Sequence, residues 1–279
     1  MKKIAKMTNK TITEPIDETS IIRPIWPAPD HIHAGVTTRI GGYSEQAFEQ
    51  GNMANHVGDD PGHVEKNRQR LAEYEAQRCG KELHWQWLEQ SHSDHCVEIH
   101  QSQVPAIAAD AVITASSMTN CVVLSADCLP ILLTNAEGSQ VAAIHAGWRG
   151  LAKGIISNTA SLFRQSLKMK KIPSSPIYAW LGPAIGPNSF EVGDDVKQAF
   201  ANKDHHSQLN YPLAFTPHGD KKYLADLYQL ATLELHHNDI HHVYGGGFCT
   251  FRESERFFSY RRSSPTGRMA SYIYRRDKP

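Results

Sequence analysis

Cys121–Gly150 reads CVVLSADCLPILLTNAEGSQVAAIHAGWRG, and the rest of the chain can be organised around it. The run Val122–Leu124 leads into Ala126-Asp127-Cys128, and Ile131–Leu133 continues it beyond Pro130. A polar turn follows, then a second run, Val141–Ile144, which ends on His145 with Gly147 and Gly150 just after it. Short apolar runs bounded by Asp, Pro and Gly predict buried strands, because a helix needs a longer periodic segment. One predicted strand carries a thiol and the other an imidazole, and neighbouring strands can bring the two together.

On the C-terminal side, Trp148–Leu167 is predicted as one helix, with Leu151, Ile155, Thr159, Leu162 and Leu167 on a broad apolar stripe. Its first turn would present free backbone N–H groups close to His145, where anions and thiolates are favoured. Further on, Tyr178–Leu181 reads as a strand running into the rigid loop Gly182–Pro187. Helices are expected near Asp194–Ala201 and Tyr223–His237, and Phe257–Arg262 and Met269–Tyr274 as a closing hairpin. Arg261, Arg262 and Arg268 are then either outward-facing charges or anion contacts at a strand end. On the N-terminal side, residues 1–20 are polar and unpatterned, predicting a flexible tail or a cover for an edge strand. The strand in HAGVTTRIGGYS ends near Arg39, which either makes a surface ion pair or, so near Gly41-Gly42, binds an anion. A helix is expected from His63 to Arg78, with Val64, Leu71 and Tyr74 on its apolar face and Asp59 and Asp60 at its N-terminus. His84–Glu89 alternates like a strand, and His92 follows in a polar loop.

The 279 residues show no repeat and no compositional break, which predicts one α/β domain over residues 21–279. Basic and acidic residues balance at 29 each, which argues against broad electrostatic binding to nucleic acid or a membrane surface. Five cysteines without a C-x-x-C, no apolar leader and no membrane-length run predict a cytoplasmic, soluble protein with reduced thiols, most simply a monomer. Among the 16 histidines, the pairs at 205–206, 236–237 and 241–242 read as solvated helix ends or loops.

Cysteine with histidine supports several chemistries. Cys128 can be a thiolate nucleophile activated by His145, with Asp127 orienting the imidazole, in a metal-free hydrolase or amidase. Alternatively Cys128, His145 and a third residue such as His92 can hold zinc and leave its fourth position open. A closed site with a fourth ligand, for which Cys96 is the spare thiol, would instead make zinc structural in a non-enzymatic binding module. A copper oxidase needs more histidines in H-x-H pairs than the single His31-Ile32-His33 provides.

The strings TTRIGGYS, HVGDD, SADCLPILL, AAIHAGWRGLAKGII, LGPAIGPNSFEVG and FFSYRR…TGRMASYIY run in this order between Ile21 and Tyr274. They resemble the YfiH-like laccase-domain family of purine nucleoside phosphorylases, formerly called polyphenol oxidases. The resemblance implies a layered α/β/β/α sandwich with mixed sheets, cysteine-hydrolase-like and related to the catalytic domain of a bacterial deamidase toxin. It implies a zinc ion on His92, Cys128 and His145, with copper the alternative from the older family label. The implied activity is phosphorolysis of adenosine, inosine, guanosine and methylthioadenosine, with deamination of adenosine to inosine. As a hydrolase, its expected substrate would be a peptidoglycan precursor. For a phosphorylase, this chain's own candidates to hold phosphate are Arg39, Arg149 and Arg261, and Asn52 and Asp127 are candidate hydrogen-bonding groups at the substrate. Around His92 the chain has Gln-Ser-His-Ser where the family more often has valine before and glycine after the histidine, so Ser93 predicts altered backbone freedom in that loop.

Overall fold

Runs that are apolar on every residue, as in VVL and ILL, form strands buried on both faces. The computed structural model describes residues 16, 19–201 and 211–277. The expected tail, apart from Ile16, Thr19 and Ser20, and the pair His205-His206 lie outside the described residues. The elements run β1 (Ile21–Ile22), β2 (Ile32–Thr37), α1 (Pro61–Cys79), β3 (His84–Gln86), β4 (Leu88–Glu89), β5 (Cys96–Ile99), β6 (Ile107–Ala108), β7 (Ala111–Thr114), β8 (Thr119–Ser125), β9 (Leu129–Asn135) and β10 (Val141–Ala146). They continue with α2 (Trp148–Lys153), α3 (Ile155–Met169), β11 (Ile177–Leu181), β12 (Glu191–Gly193), α4 (Asp194–Ala201), β13 (Phe215–Pro217), β14 (Lys222–Ala225), α5 (Leu227–His237), β15 (His242–Gly245) and β16 (Met269–Arg275).

Two mixed sheets dominate this α/β fold. One has the order β1-β2-β16-β8-β3 and the other β15-β11-β9-β10-β7-β5. Alternation along each strand divides its side chains between two cores. In β8, Cys121 and Val123 pack with Leu132 of β9 and Val141 and Ala143 of β10, while Val122 and Leu124 pack with Leu71 and Cys79 of α1. In β9 and β10, Ile131, Leu133, Ala142 and Ile144 point the other way, into a core shared with Leu151, Ile155 and Phe163 of α2 and α3 and with Leu230 and Leu235 of α5.

Five expectations change in register or kind. His84–Glu89 divides at Trp87 into β3, which pairs with β8, and β4, which pairs with β6 in a separate small sheet. Val122–Leu124 and Ile131–Leu133 belong to different strands in different sheets. Residues 126–128 carry the chain across, with Asp127 at φ +91°, so Cys128 stands where the chain enters the second sheet. The helix expected over Trp148–Leu167 breaks at Gly154, which adopts φ +99° and whose N–H closes on the carbonyls of Gly150 and Leu151. The apolar stripe hides this break because both pieces bury the same face. Lys222–Ala225 is a strand between β12 and β13 rather than the start of a helix, and Asp226 caps α5 by accepting from the Gln229 N–H. Finally, Phe257–Arg262 does not pair with β16, whose antiparallel partners are β2 and β8. That segment is held in turns by the Arg262 guanidinium, which donates to the carbonyls of Thr250, Phe251 and Phe257.

Helix α1 matches the reading of its sequence. Asp60 accepts from the Gly62 and His63 N–H groups, Pro61 opens the helix, and Gly80 closes it at φ +74°. No helix among the described residues is long and apolar enough to cross a membrane.

Candidate metal centre

Cys128, His145 and His92 come from three places and meet at one. Cys128 precedes β9, His145 lies on β10 opposite Pro130 of β9, and His92 sits in the loop between β4 and β5. Their ligand atoms all lie within 4.8 Å of one another. Cys128 Sγ is 3.6 Å from His92 Nε2. Tetrahedral zinc bonded to one sulfur and one imidazole nitrogen sets those two atoms about 3.6 Å apart. The donor set, one thiolate and two imidazoles, is of the borderline-soft kind that zinc takes. The three residues fit a single ion.

One carboxylate that the sequence does not announce holds this arrangement. Asp110 is fully buried at the start of β7 and accepts His145 Nδ1–H at 2.8 Å, leaving Nε2 as the free nitrogen. It also accepts the backbone N–H groups of Ser91, His92 and Ser93 at 3.2, 3.0 and 2.7 Å, and the Ser93 hydroxyl at 2.6 Å. Burial alone would raise its pKa, but the hydrogen bonds from His145 and Ser93 hold it well below the ordinary carboxylate range. The left-handed residue in this loop is His92 itself, at φ +59°. Ser93 therefore does not need glycine's freedom here; its hydroxyl is a further bond to Asp110. Gly147 is required for a different reason. A Cβ there would lie 2.8 Å from His92 Cδ2 and 2.9 Å from Cys128 Sγ.

Burial pushes the Cys128 thiol up, but the His145 charge and hydrogen bonds from both histidines bring it down to about 6. Burial likewise disfavours a charged His145, and the Cys128 and Asp110 anions raise it to about 9. Without a metal the pair is thiolate and imidazolium near neutral pH. That is an activated thiol in one chemistry and a ready ligand in the other.

The three residues line a cavity of about 470 Å³. Its wall is apolar at Trp148, Ile185, Phe190 and Tyr260 and cationic at Arg149, Arg261 and Arg268. A second cavity, of about 770 Å³ and lined by Tyr228, Gly246 and Cys249, contains none of the three.

The structure redistributes the other candidates. Asp127 lines the cavity but does not touch His145; its carboxylate accepts from Thr250 Oγ1 at 2.6 Å and from the Arg261 N–H at 2.7 Å, and the orienting carboxylate is Asp110. Arg149 and Arg261 are on the wall. Arg39 is not, because its guanidinium bonds the Ser254 carbonyl and covers the Phe258 ring. Asn52 is fully buried outside the cavity, donating to Ala54 and Asp59 and accepting from the N–H groups of Ala54 and Arg268. Cys96, the spare thiol, packs beside α3 on Thr159, and burial pushes it up to about 12. His56 and Arg268 are wall residues outside the named phosphate candidates; of the two, only Arg268 was read from the sequence, as either an outward-facing charge or an anion contact at a strand end.

A family described as multi-copper polyphenol oxidoreductase laccase matches residues 33–276. The purine nucleoside phosphorylase YfiH of Escherichia coli K12 is 43% identical over 256 residues, covering 92% of this chain and 99% of that protein. A purine nucleoside phosphorylase of Pseudomonas aeruginosa is 42% identical, covering 92% and 98%. The chain belongs to the YfiH-like laccase-domain family. Among solved structures, a Neisseria meningitidis protein of this family superposes with TM-score 0.80 at 40% identity, covering 92% of this chain and 99% of its own. YlmD of Geobacillus stearothermophilus gives 0.79 at 32% identity, covering 89% and 93%.

Proposed function

We propose that this chain is a zinc-dependent purine nucleoside phosphorylase that acts on adenosine, inosine, guanosine and methylthioadenosine and also deaminates adenosine. The observation that carries the reading is the convergence of His92, Cys128 and His145 at the wall of a cavity that is aromatic on one part and cationic on another. The fold is read as an α/β/β/α sandwich of cysteine-hydrolase type, a single catalytic domain over residues 21–279. Five unpaired thiols suit a reducing cytoplasm. A monomer, binding neither nucleic acid nor membrane, is sufficient for this chemistry.

His92, Cys128 and His145 would hold the ion, and Asp110 would fix the His145 imidazole and the backbone that carries His92. When bound, zinc supplies Lewis acidity to an oxygen presented in its open position. The chain supplies the rest. Trp148, Phe190 and Tyr260 offer apolar faces to a purine ring. The cationic wall attracts the anionic cosubstrate. In phosphorolysis a phosphate oxygen forms a bond to ribose C1′ as the C1′–N9 bond breaks. The bonding electrons leave with the purine, which takes up a proton, giving ribose 1-phosphate and free base. Asp127 bonds the Arg261 N–H and so keeps that residue at the wall.

Two other readings rest on specific observations. The depressed thiol of Cys128 beside His145 favours a metal-free Cys-His hydrolase or amidase acting on a peptidoglycan precursor. The description of the matching family favours copper and phenol oxidation. Turnover of inosine and adenosine with and without phosphate separates the three. Phosphate-dependent release of hypoxanthine and adenine, with phosphate-independent conversion of adenosine to inosine, is expected. Silence on nucleosides, with amide hydrolysis or phenol oxidation instead, would overturn the reading.

A further inference from the structure

We propose that Arg268, seconded by His56, is the anchor for inorganic phosphate in the cavity, rather than Arg149 or Arg261. This rests on the phosphorylase reading. Of the three wall arginines, Arg149 is exposed on the Trp148 ring, and exposed Arg261 donates Nη1 to the Glu191 carbonyl beside Phe190. Both side chains are exposed, one on a ring and the other with a carbonyl acceptor already in place.

Arg268 is different. It is half-buried, and its main chain is fixed on both sides: its N–H donates to Asn52 Oδ1 at 2.9 Å, and its carbonyl accepts the Met53 N–H at 3.1 Å. Its Nη1 donates to the Thr266 and Gly267 carbonyls at 2.8 and 3.0 Å, which sets the plane of the guanidinium. Among the described residues, Nε and Nη2 have no protein acceptor, and no carboxylate pairs with the charge. A guanidinium taken partly out of water with an unused pair of donors is costly unless a ligand completes it. That Nε–Nη2 edge is the fork that takes two oxygens of a tetrahedral oxyanion. The Cys128 and Asp127 charges bear on Arg268, which puts it beside the metal ligands and the carboxylate at the sheet crossing.

His56 completes the pair. It lines the same cavity, two residues beyond Ala54 in the segment that Asn52 folds; burial and the Arg268 and Arg68 charges lower its pKa, so it offers a neutral imidazole with one N–H donor. A guanidinium and an imidazole thus reach the cavity from two segments of the chain, with buried Asn52, bonded to Ala54 and to Arg268, as the brace. Asn52 therefore serves phosphate indirectly, as a positioning residue.

The test uses the as-purified protein and inorganic phosphate. Phosphate affinity is read by calorimetry, which needs no turnover, and KM for phosphate and for inosine by steady-state kinetics. Arg268→Lys keeps the charge but loses the fork, and His56→Gln changes an exposed side chain that the fold does not depend on. For Arg268→Lys, phosphate Kd and KM are expected to rise about tenfold or more, as for loss of a bidentate charged contact, with inosine KM changed less than about twofold. His56→Gln is expected to raise the phosphate constants several-fold. Phosphate-dependent cleavage with wild-type phosphate constants in both variants would overturn the anchor and leave the phosphorylase reading standing. Arg268-dependent phosphate binding without nucleoside cleavage would uphold the anchor and sink that reading.

Discussion

At the scale of single residues, Asp110 does more for the site than its place in the sequence suggests. One carboxylate bonds the imidazole of His145 and three successive N–H groups around His92, so two candidate ligands, one on a strand and one in a distant loop, share one fixed point. Asp110→Asn keeps the shape but offers an NH₂ where an oxygen accepted. Zinc affinity, measured by competition with a chromophoric chelator, should fall about 10–100-fold, as when a ligand's outer partner is removed. Cys128 makes a separate prediction. Its thiol lies at about 6, below the ordinary value for cysteine, so in chelator-stripped protein the thiolate persists down to that pH. The rate of alkylation by iodoacetamide should therefore rise through an apparent pKa near 6, and Cys128→Ser should remove the reactive fraction; a rise only near 8.5 would contradict the geometry. The residue types with distinctive chemistry, Cys128, His145 and His92, were legible in the sequence. Asp110 was not, because an aspartate before the apolar run AVIT looks like any strand boundary. Arg268 was legible only as one of three arginines that either face outward or contact an anion at a strand end; what singles it out comes from Asn52 and Met53, more than 200 positions away.

At the scale of elements, the site depends on two interruptions that hydrophobic patterning cannot show. The Ala126-Asp127-Cys128 turn looks like a pause in one strand, yet it moves the chain between sheets and aims Cys128 at His145. Gly154 looks like one small residue within a periodic helix, yet its left-handed conformation ends α2 and redirects α3. Alanine at Gly154 suits the pattern but not the backbone. Gly154→Ala should lower stability by about 1–2 kcal/mol in urea unfolding, and no loss would show that the two helices can merge. The final hairpin was misread for a related reason. FFSYRR has strand-like composition, but the fixed donors of Arg262 reach three carbonyls only if the segment coils. Runs bounded by strong signals, such as α1 with Asp60, Pro61 and Gly80, were read to within about two residues, the usual uncertainty of a helix end.

At the scale of the whole molecule, the two sheets and their flanking helices are joined by apolar packing, and a buried polar clamp fixes α1 to β16. Glu75 of α1 is fully buried and accepts from Tyr272 and Tyr274 of β16 at 2.8 and 2.9 Å and from Arg23. Glu75→Ala leaves a partly solvated guanidinium and two buried hydroxyls without their acceptor. A loss of about 3 kcal/mol is expected, seen as a Tm lowered by about 6–12 °C, while the proposed metal site, at the edge of the other sheet, should keep its zinc affinity. The class of fold, α/β with mixed sheets, was legible because the strands are so uniformly apolar; which strands share a sheet was not, because period-two alternation is the same in either sheet. The family was legible from motifs spread along the chain, and it matches over residues 33–276. The central claim is that the convergence of His92, Cys128 and His145 exists to hold one metal ion, and native mass spectrometry of freshly purified protein tests it most directly. The account predicts one zinc per chain, lost in Cys128→Ala and weakened in Asp110→Asn. Metal-free wild-type protein, or an ion retained when Cys128 is removed, would contradict it.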